Sequence, residues 1–186
     1  MADRITLVLG GARSGKSTFA ENLAFADGDQ VTYLATADSR DAEMAERIKI
    51  HRARRNDSWH TWEGEPEELP EAVSKTSGTL LLDCLTMWLT RLFLKNGEAE
   101  TEDETVWERR EKEIRALTEK LCAAPRKGTR LIIVSNEVGC GLVPPYLMGR
   151  RFRDLQGRMN QLTAARADSV AFIAAGLPLW LKGGPQ

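Results

Sequence analysis

The chain has 186 residues, of which 42% are hydrophobic, and a formal net charge of −1. This length can bury a sizeable core, and the near-neutral charge gives no bulk attraction to nucleic acid or to an anionic membrane. No apolar run approaches the ~20 residues of a membrane span, and the N-terminal residues lack the pattern of a signal peptide. We therefore expect one cytoplasmic domain over residues 1–186, with no nucleic-acid partner and no membrane span.

Short apolar runs alternate with longer segments of helical spacing along the chain. Several of these runs are almost continuously apolar, which is typical of strands buried on both faces of a parallel sheet. The predicted strands cover residues 5–9, 31–35, 79–82, 131–135, 169–174 and 179–181. The predicted helices cover about 16–26, 41–55, 84–95, 102–123 and 150–167.

The turn after the first predicted strand fits the pattern G-x-x-x-x-G-K-[ST] of a phosphate-binding loop. Such a loop presents backbone N–H groups and a helix N-terminus to a polyphosphate. We expect Lys16 to reach the β- and γ-phosphates and the Ser17 hydroxyl to bind Mg²⁺. The loop, all of which is predicted to bind nucleotide, consists of Gly10, Gly11, Ala12, Arg13, Ser14, Gly15, Lys16 and Ser17.

The strand–helix alternation, with this loop after the first strand, predicts the fold class. We expect a three-layer α/β domain of the P-loop NTPase (RecA-like) kind with a mostly parallel central sheet.

The predicted helix 41–55 carries one of the two histidines in a cationic setting. Met44, Ile48 and His51 share one helical face, and five basic residues surround it. On spacing alone, an amphipathic helix with a solvated basic side is the simpler interpretation. The alternative is a nucleophilic imidazole among phosphate-binding cations. The other histidine, His60, lies between two tryptophans in a segment that looks packed or strand-like.

Acidic and polar residues follow two of the later strands. Asp83 ends the predicted strand 79–82, where a Mg²⁺-binding carboxylate of a P-loop enzyme is expected, and helix capping is the alternative. Asn136 and Glu137 follow strand 131–135 and would either face a substrate or cap the loop. The glycines and prolines after them indicate a shaped loop rather than a helix.

The predicted helix 102–123 has a clear start signal. Thr101 and Glu104 have the spacing of a capping box, and an apolar stripe follows that begins at Trp107. The polar residues 96–103 before it are expected to form a solvated connection.

These residues together resemble one family, the bifunctional adenosylcobinamide kinase / adenosylcobinamide-phosphate guanylyltransferases of cobalamin biosynthesis. The resemblance runs almost from end to end. The phosphate loop alone indicates only a superfamily, whereas the blocks 47–52 (Arg-Ile-Lys-Ile-His-Arg) and 134–139 (Val-Ser-Asn-Glu-Val-Gly) are far more specific. The other matching blocks are 33–36, 41–44, 81–86, 152–154 and 157–161, with Arg55, Trp59 and Glu63.

The resemblance implies two reactions in succession. ATP or GTP first phosphorylates the hydroxyl of the aminopropanol arm of adenosylcobinamide. His51, which matches the family's guanylylated histidine, then takes GMP from GTP and passes it to the phosphorylated cobinamide. The family also implies Mg²⁺ and a homo-oligomer, a trimer. The residues that it implies in guanine-nucleotide binding are Thr36, Ala37, Asp38, Arg52, Ala53, Arg54, Arg55, Glu63 and Asp83.

Two other functions compete with this interpretation. A P-loop small-molecule kinase without guanylyl transfer would not need His51 for nucleotide turnover. A GTP-dependent switch would be expected to read guanine through Asn/Thr-Lys-x-Asp, and the chain contains no such tetrapeptide.

Overall fold

The structure, a computed structural model, describes residues 4–26, 28, 30–36 and 58–184. Seven strands are present in this part of the chain: β1 (Ile5–Gly10), β2 (Val31–Ala35), β3 (His60–Glu63), β4 (Gly78–Asp83), β5 (Thr129–Asn136), β6 (Ser169–Ala174) and β7 (Leu177–Lys182). The described α-helices are α1 (Lys16–Phe25), α2 (Leu69–Lys75), α3 (Leu85–Leu94), α4 (Glu104–Ala123) and α5 (Leu147–Arg166). Short 3₁₀ segments cover Pro66–Glu68 and Lys95–Glu100.

The strands form one sheet in the order β3-β2-β4-β5-β1-β6-β7. Every neighbouring pair is parallel except β6 and β7, which form an antiparallel hairpin at one edge. β1 therefore lies between β5 and β6, and one strand, β5, separates it from β4. The carboxyl ends of β1 and β4 meet at the same edge of the sheet, where ligands bind in open α/β folds.

Two apolar clusters, one on each face of the sheet, create the three layers. Because successive side chains on a strand point to opposite faces, Leu7 and Leu80 face one side while Val8 and Leu81 face the other. The first side packs against α2, α3, α4 and α5. The second packs against α1. The predicted α/β class with a mostly parallel central sheet is confirmed.

The predicted strands are all present, several with one to three additional residues. The bounds of β3 and α2 were not predicted from the sequence. Both are short, and α2 has Pro70 in its first turn, so neither has the length that makes a periodic pattern visible. The predicted helix 41–55 lies outside the described residues. None of the described helices combines the length and the apolar character needed to cross a membrane.

The capping residue of α4 was predicted wrongly. The helix begins at Glu104, and its N-cap is Asp103, whose carboxylate accepts a hydrogen bond from the Thr105 N–H at 2.9 Å. The Thr101 hydroxyl accepts instead from the N–H of Asp103 at 3.1 Å, in the turn before the helix. The connection over residues 96–103 is mostly exposed, as predicted, and Ala99 is its one buried residue.

Candidate functional site

The phosphate loop crosses the carboxyl end of β1 in a space that admits no side chain at its first glycine. A Cβ built on Gly10 would lie 2.5 Å from the Ser14 Oγ and 2.7 Å from the Ile173 carbonyl oxygen. Gly15 is the N-cap of α1 and has φ +94°, a conformation that L side chains rarely adopt. The N–H of Gly176 donates to the Ser14 carbonyl at 2.8 Å and ties the loop to the β6–β7 hairpin.

Two adjacent glycines provide a matched test of this packing. Gly10→Ala should lower the free energy of unfolding by about 1–3 kcal/mol, because the Ile173 carbonyl is backbone and cannot move aside cheaply. Gly11→Ala should have little effect, because no atom of the described residues, apart from its own chain neighbours, lies within 4 Å of its Cβ position. Urea unfolding of both variants measures the difference. Equal stabilities would contradict the close approach of Ile173 to Gly10.

Lys16 is largely buried at the first position of α1. Its Nζ donates to the Gly11 carbonyl at 3.0 Å across the loop. Burial lowers the pKa of Lys16 below its ordinary value, while the negative charge of the Asp83 carboxylate acts in the opposite direction. The Ser14 hydroxyl is buried in the same loop and has no hydrogen-bond partner among the described residues. A buried cation beside an unpartnered hydroxyl fits the oxygens of a phosphate.

Asp83 ends β4 next to the start of α1. Its Oδ1 lies 3.5 Å from the Ser17 Oγ, so the structure brings together the two residues predicted to bind Mg²⁺. The Tyr33 hydroxyl lies 3.3 Å from both the Asp83 carbonyl and its Oδ2. The N-cap of α3 is Cys84, not Asp83, so the alternative role of Asp83 as helix cap is not what the structure shows. The sequence predicts no role for Tyr33; its signals are a phenol within the strand and its place in the matching block 33–36.

Thr36 follows β2 directly and is almost fully buried. Its hydroxyl donates to the Cys84 carbonyl at 2.8 Å and accepts from the Cys84 N–H at 2.9 Å. Both hydrogen-bonding functions of the side chain therefore hold the turn between β4 and α3. Burial raises the pKa of the Cys84 thiol to about 12, so this thiol is uncharged near neutral pH.

The polar residues after β5 make contacts within the protein. The Asn136 N–H donates to the Thr86 hydroxyl at 2.9 Å. The Glu137 N–H donates to the Gly10 carbonyl at 3.1 Å, and its carboxylate accepts from the Gly139 N–H at 2.5 Å. Of the two roles considered for these residues, the described contacts favour loop capping. They also join the loop after β5 to the phosphate loop.

One of the remaining candidate residues, Glu63, lies on the edge strand β3, and the others lie outside the described residues. Glu63 ends β3, is exposed, and is paired in register with Ala35 of β2. It therefore belongs to the same carboxyl edge as the phosphate loop, two strands beyond β4. The candidates outside the described residues are Ala37, Asp38, His51, Arg52, Ala53, Arg54 and Arg55.

Comparison with known proteins adds the family context. Residues 6–181 match the family model "Cobinamide kinase / cobinamide phosphate guanyltransferase". The chain is 44% identical over 182 residues to the bifunctional adenosylcobalamin biosynthesis protein CobP of Pseudomonas aeruginosa, covering 96% of this chain and 98% of that protein. It is 40% identical over 180 residues to CobU, of the same description, from Escherichia coli, covering 95% and 98%. CobU of Salmonella typhimurium is also 40% identical, over 182 residues, with coverage of 95% and 98%.

Proposed function

The chain belongs to the cobinamide kinase / cobinamide phosphate guanyltransferase family, and we propose how its residues divide the two activities of that family in cobalamin biosynthesis. The phosphate loop with Lys16 carries the kinase reaction on adenosylcobinamide. His51 carries the guanylyl group. The observation behind the first assignment is the convergence of Lys16, Ser17 and Asp83 at one edge of the sheet. The second rests on the family match and on the block 47–52.

In the kinase reaction, the hydroxyl oxygen of the aminopropanol arm attacks the γ-phosphorus of ATP or GTP. The bond from this phosphorus to the bridging oxygen breaks, the nucleoside diphosphate leaves, and the hydroxyl proton passes to solvent or a nearby base. Such transfers depend on positioning and on neutralising charge. Lys16 supplies a cation for the β- and γ-phosphates when its Nζ exchanges the Gly11 carbonyl for phosphate oxygens, and the backbone N–H groups of the loop supply hydrogen-bond donors.

In the guanylyl transfer, an imidazole nitrogen of His51 attacks the α-phosphorus of GTP and pyrophosphate leaves. A phosphate oxygen of the phosphorylated cobinamide then attacks the same phosphorus and releases the histidine. The products are adenosylcobinamide-GDP and the free enzyme. Covalent catalysis divides one difficult transfer into two displacements, and imidazole both attacks and leaves phosphorus readily. We assign the guanine-nucleotide contacts to Thr36, Ala37, Asp38, Glu63 and the 52–55 stretch, with any Thr36 contact coming from its backbone.

The Ser17 hydroxyl and the Asp83 carboxylate fit a Mg²⁺ ion, since both are hard oxygen ligands in the setting where this ion also takes phosphate oxygens and water. When bound, Mg²⁺ neutralises charge on the phosphates and the leaving group. Among the described residues, no three His, Cys, Asp or Glu side chains form a ready-made metal cluster.

Asp83→Asn should raise the Mg²⁺ concentration at half-maximal kinase activity by about 10- to 100-fold. The asparagine side chain has the shape of aspartate but lacks the negative charge that binds the metal ion. Tyr33→Phe is the matched control, since it removes the hydrogen bonds to Asp83 and leaves the carboxylate. We expect a much smaller change for that variant. A Mg²⁺ titration in which both variants behave alike would argue against the metal role of Asp83.

The two-step function is tested with GTP labelled at the α-phosphate. The protein is incubated with Mg²⁺ and this nucleotide, denatured, and assayed for retained label. Acid-labile, alkali-stable label on His51 is the expected result for a phosphoramidate. If no label is retained while γ-labelled nucleotide still phosphorylates cobinamide, the protein is a kinase alone, which is the second candidate function.

We also infer a cytoplasmic location, where nucleoside triphosphates are available, and a homotrimer, as the resemblance implies. The antiparallel edge strand β7 exposes the row Leu177, Leu179 and Leu181 on one face. An exposed apolar row on an edge strand is a surface that proteins usually cover. Replacing Leu179 with Lys should therefore shift the sedimentation coefficient toward that of a monomer. An unchanged coefficient would mean that β7 is not the contact.

A further inference from the structure

The loop between β5 and α5 exposes a group of apolar side chains at the carboxyl edge of the sheet. Leu142 is 97% exposed, Val143 65%, Tyr146 60% and Leu147 38%. We call these four side chains the apolar apex. Single exposed apolar residues are ordinary, but four within six consecutive positions form a patch, and such patches mark binding surfaces.

Contacts with the first turn of α5 hold the apolar apex in place. One nitrogen of Arg150, Nη1, donates to the carbonyl of Pro144 at 3.2 Å and to that of Pro145 at 2.8 Å. Gly149 lets the loop lie against the first turn of α5, since a Cβ there would meet the Tyr146 ring at 2.6 Å. The two prolines also fix their own φ angles. The protein therefore maintains an exposed apolar surface through several specific contacts.

The loop that carries the apolar apex starts beside the phosphate loop. Asn136, the last residue of β5, is in register with Gly10, and the next N–H along the chain donates to the Gly10 carbonyl at 3.1 Å. Leu142 follows Asn136 by six positions, so even an extended chain would place it no more than about 20 Å away. A substrate whose hydroxyl reaches the γ-phosphate can therefore extend over the apolar apex.

The side chains beside the apolar apex favour a ligand whose peripheral side groups are uncharged. A cleft between the N-terminal halves of α4 and α5 is lined by Trp107, Leu147 and Leu155 and by charged residues. Arg151 pairs with Glu104 at 2.7 Å, and Arg158 pairs with Glu111. With Arg150 and Asp154, the lining has three basic and three acidic side chains, so the cleft offers hydrogen-bond donors and acceptors but no net charge for a phosphate. Apolar surface next to such a cleft suits a ring system that carries neutral amides.

From these observations we propose that the apolar apex is the surface on which the corrin ring of cobinamide packs during phosphoryl transfer. The inference rests on the proposed function, because it takes cobinamide as the phosphate acceptor. The nucleotide, with its charged phosphates, goes to the phosphate loop. The corrin is the substrate with apolar ring edges and neutral amide side chains, and it matches both parts of the surface.

The test compares Leu142→Ser and Val143→Thr with Leu94→Ser. Leu94 is also an exposed leucine, but it ends α3, which runs from the carboxyl edge of the sheet toward the opposite edge. We expect each apex variant to raise the KM for adenosylcobinamide about three- to tenfold, as lost contact with part of a side chain would. The KM for nucleotide and the labelling by α-labelled GTP without corrin should stay within about twofold of the parent values. Leu94→Ser should leave all three unchanged.

Two results would overturn the proposal. An adenosylcobinamide KM within about twofold of the parent in both apex variants would show that the corrin does not contact this surface. A smaller particle in sedimentation velocity for the apex variants would assign the surface to a second copy of the chain instead. Failure of the proposed function is distinguishable from both, because the unaltered protein would then fail to phosphorylate adenosylcobinamide or to retain label from α-labelled GTP.

Discussion

Replacing Lys16 with methionine is expected to lower kcat/KM of the kinase reaction by about 10²- to 10³-fold, the usual effect of losing one preorganised charge at a transition state. Methionine is also unbranched and long enough to fill the largely buried site, so the fold should persist. The decisive comparison is kcat/KM for γ-phosphoryl transfer, measured beside a thermal unfolding curve.

Lys75→Met is the matched control for this substitution. Lys75 is an exposed residue of α2 that forms an i,i+4 ion pair with Glu71. Exposed pairs contribute little, so this variant should leave both the unfolding free energy and the kinase rate nearly unchanged. A kinase rate that falls equally in both variants would mean that Lys16 has no special role at the phosphates.

The stability of the Lys16 variant should also depend on pH in a defined direction. Burial lowers the pKa of Lys16 in the folded, nucleotide-free protein below the value of 10.5 for an ordinary lysine. At a pH below the pKa of Lys16 in the folded protein, the amine is charged in both the folded and the unfolded state. The folded protein then carries the full cost of burying the charge. Between the folded and unfolded pKa values, the unfolded state binds more protons, so the wild-type stability rises with pH. At a pH above the pKa of Lys16 in the unfolded chain, the amine is neutral in both states and the cost of burying its charge is absent.

The methionine variant has no charge to bury at this position. Its stability relative to the wild type should therefore be greatest at neutral pH and should decline as the pH approaches 10.5. Urea unfolding of both proteins across this range, without nucleotide, measures the difference. A difference that grows with pH would have the opposite sign and would mean that the attraction of Asp83 outweighs burial.

His51→Asn should abolish covalent labelling by α-labelled GTP and the formation of adenosylcobinamide-GDP, while phosphorylation of adenosylcobinamide continues. Asparagine is neutral and polar but lacks the nitrogen nucleophile that attacks phosphorus. The loss should be complete, because no second nucleophile is expected to replace the imidazole. Separate assays with α- and γ-labelled nucleotide on one preparation distinguish the two reactions.

His60→Asn is the control that the chain itself provides. His60 is the first residue of β3, is exposed, and is paired in register with Thr32 of β2. Its replacement should leave both labelling reactions intact. Retained label in the His51 variant, or lost label in the His60 variant, would move the guanylylated residue away from His51.

The phosphate loop and the strands were predictable because their determinants are local. Gly10, Gly15, Lys16 and Ser17 match a pattern whose spacing is set by backbone geometry, and buried parallel strands appear as continuous apolar runs. The capping of α4 was predicted wrongly although it is also local. Both Thr101 and Asp103 are good caps, so the residue types alone do not decide which of them begins the helix.

The sequence by itself determined the α/β class, the phosphate loop and the family, since each depends on residues adjacent or regularly spaced along the chain. Tertiary structure alone decided which distant groups meet. Asp83 lies beside Ser17, and Thr36 uses its hydroxyl on Cys84, because the sheet order places β4 next to β2 and one strand away from β1. The exposed apolar apex likewise appears only in the folded chain. Strand order and burial result from long-range packing, which no local pattern records.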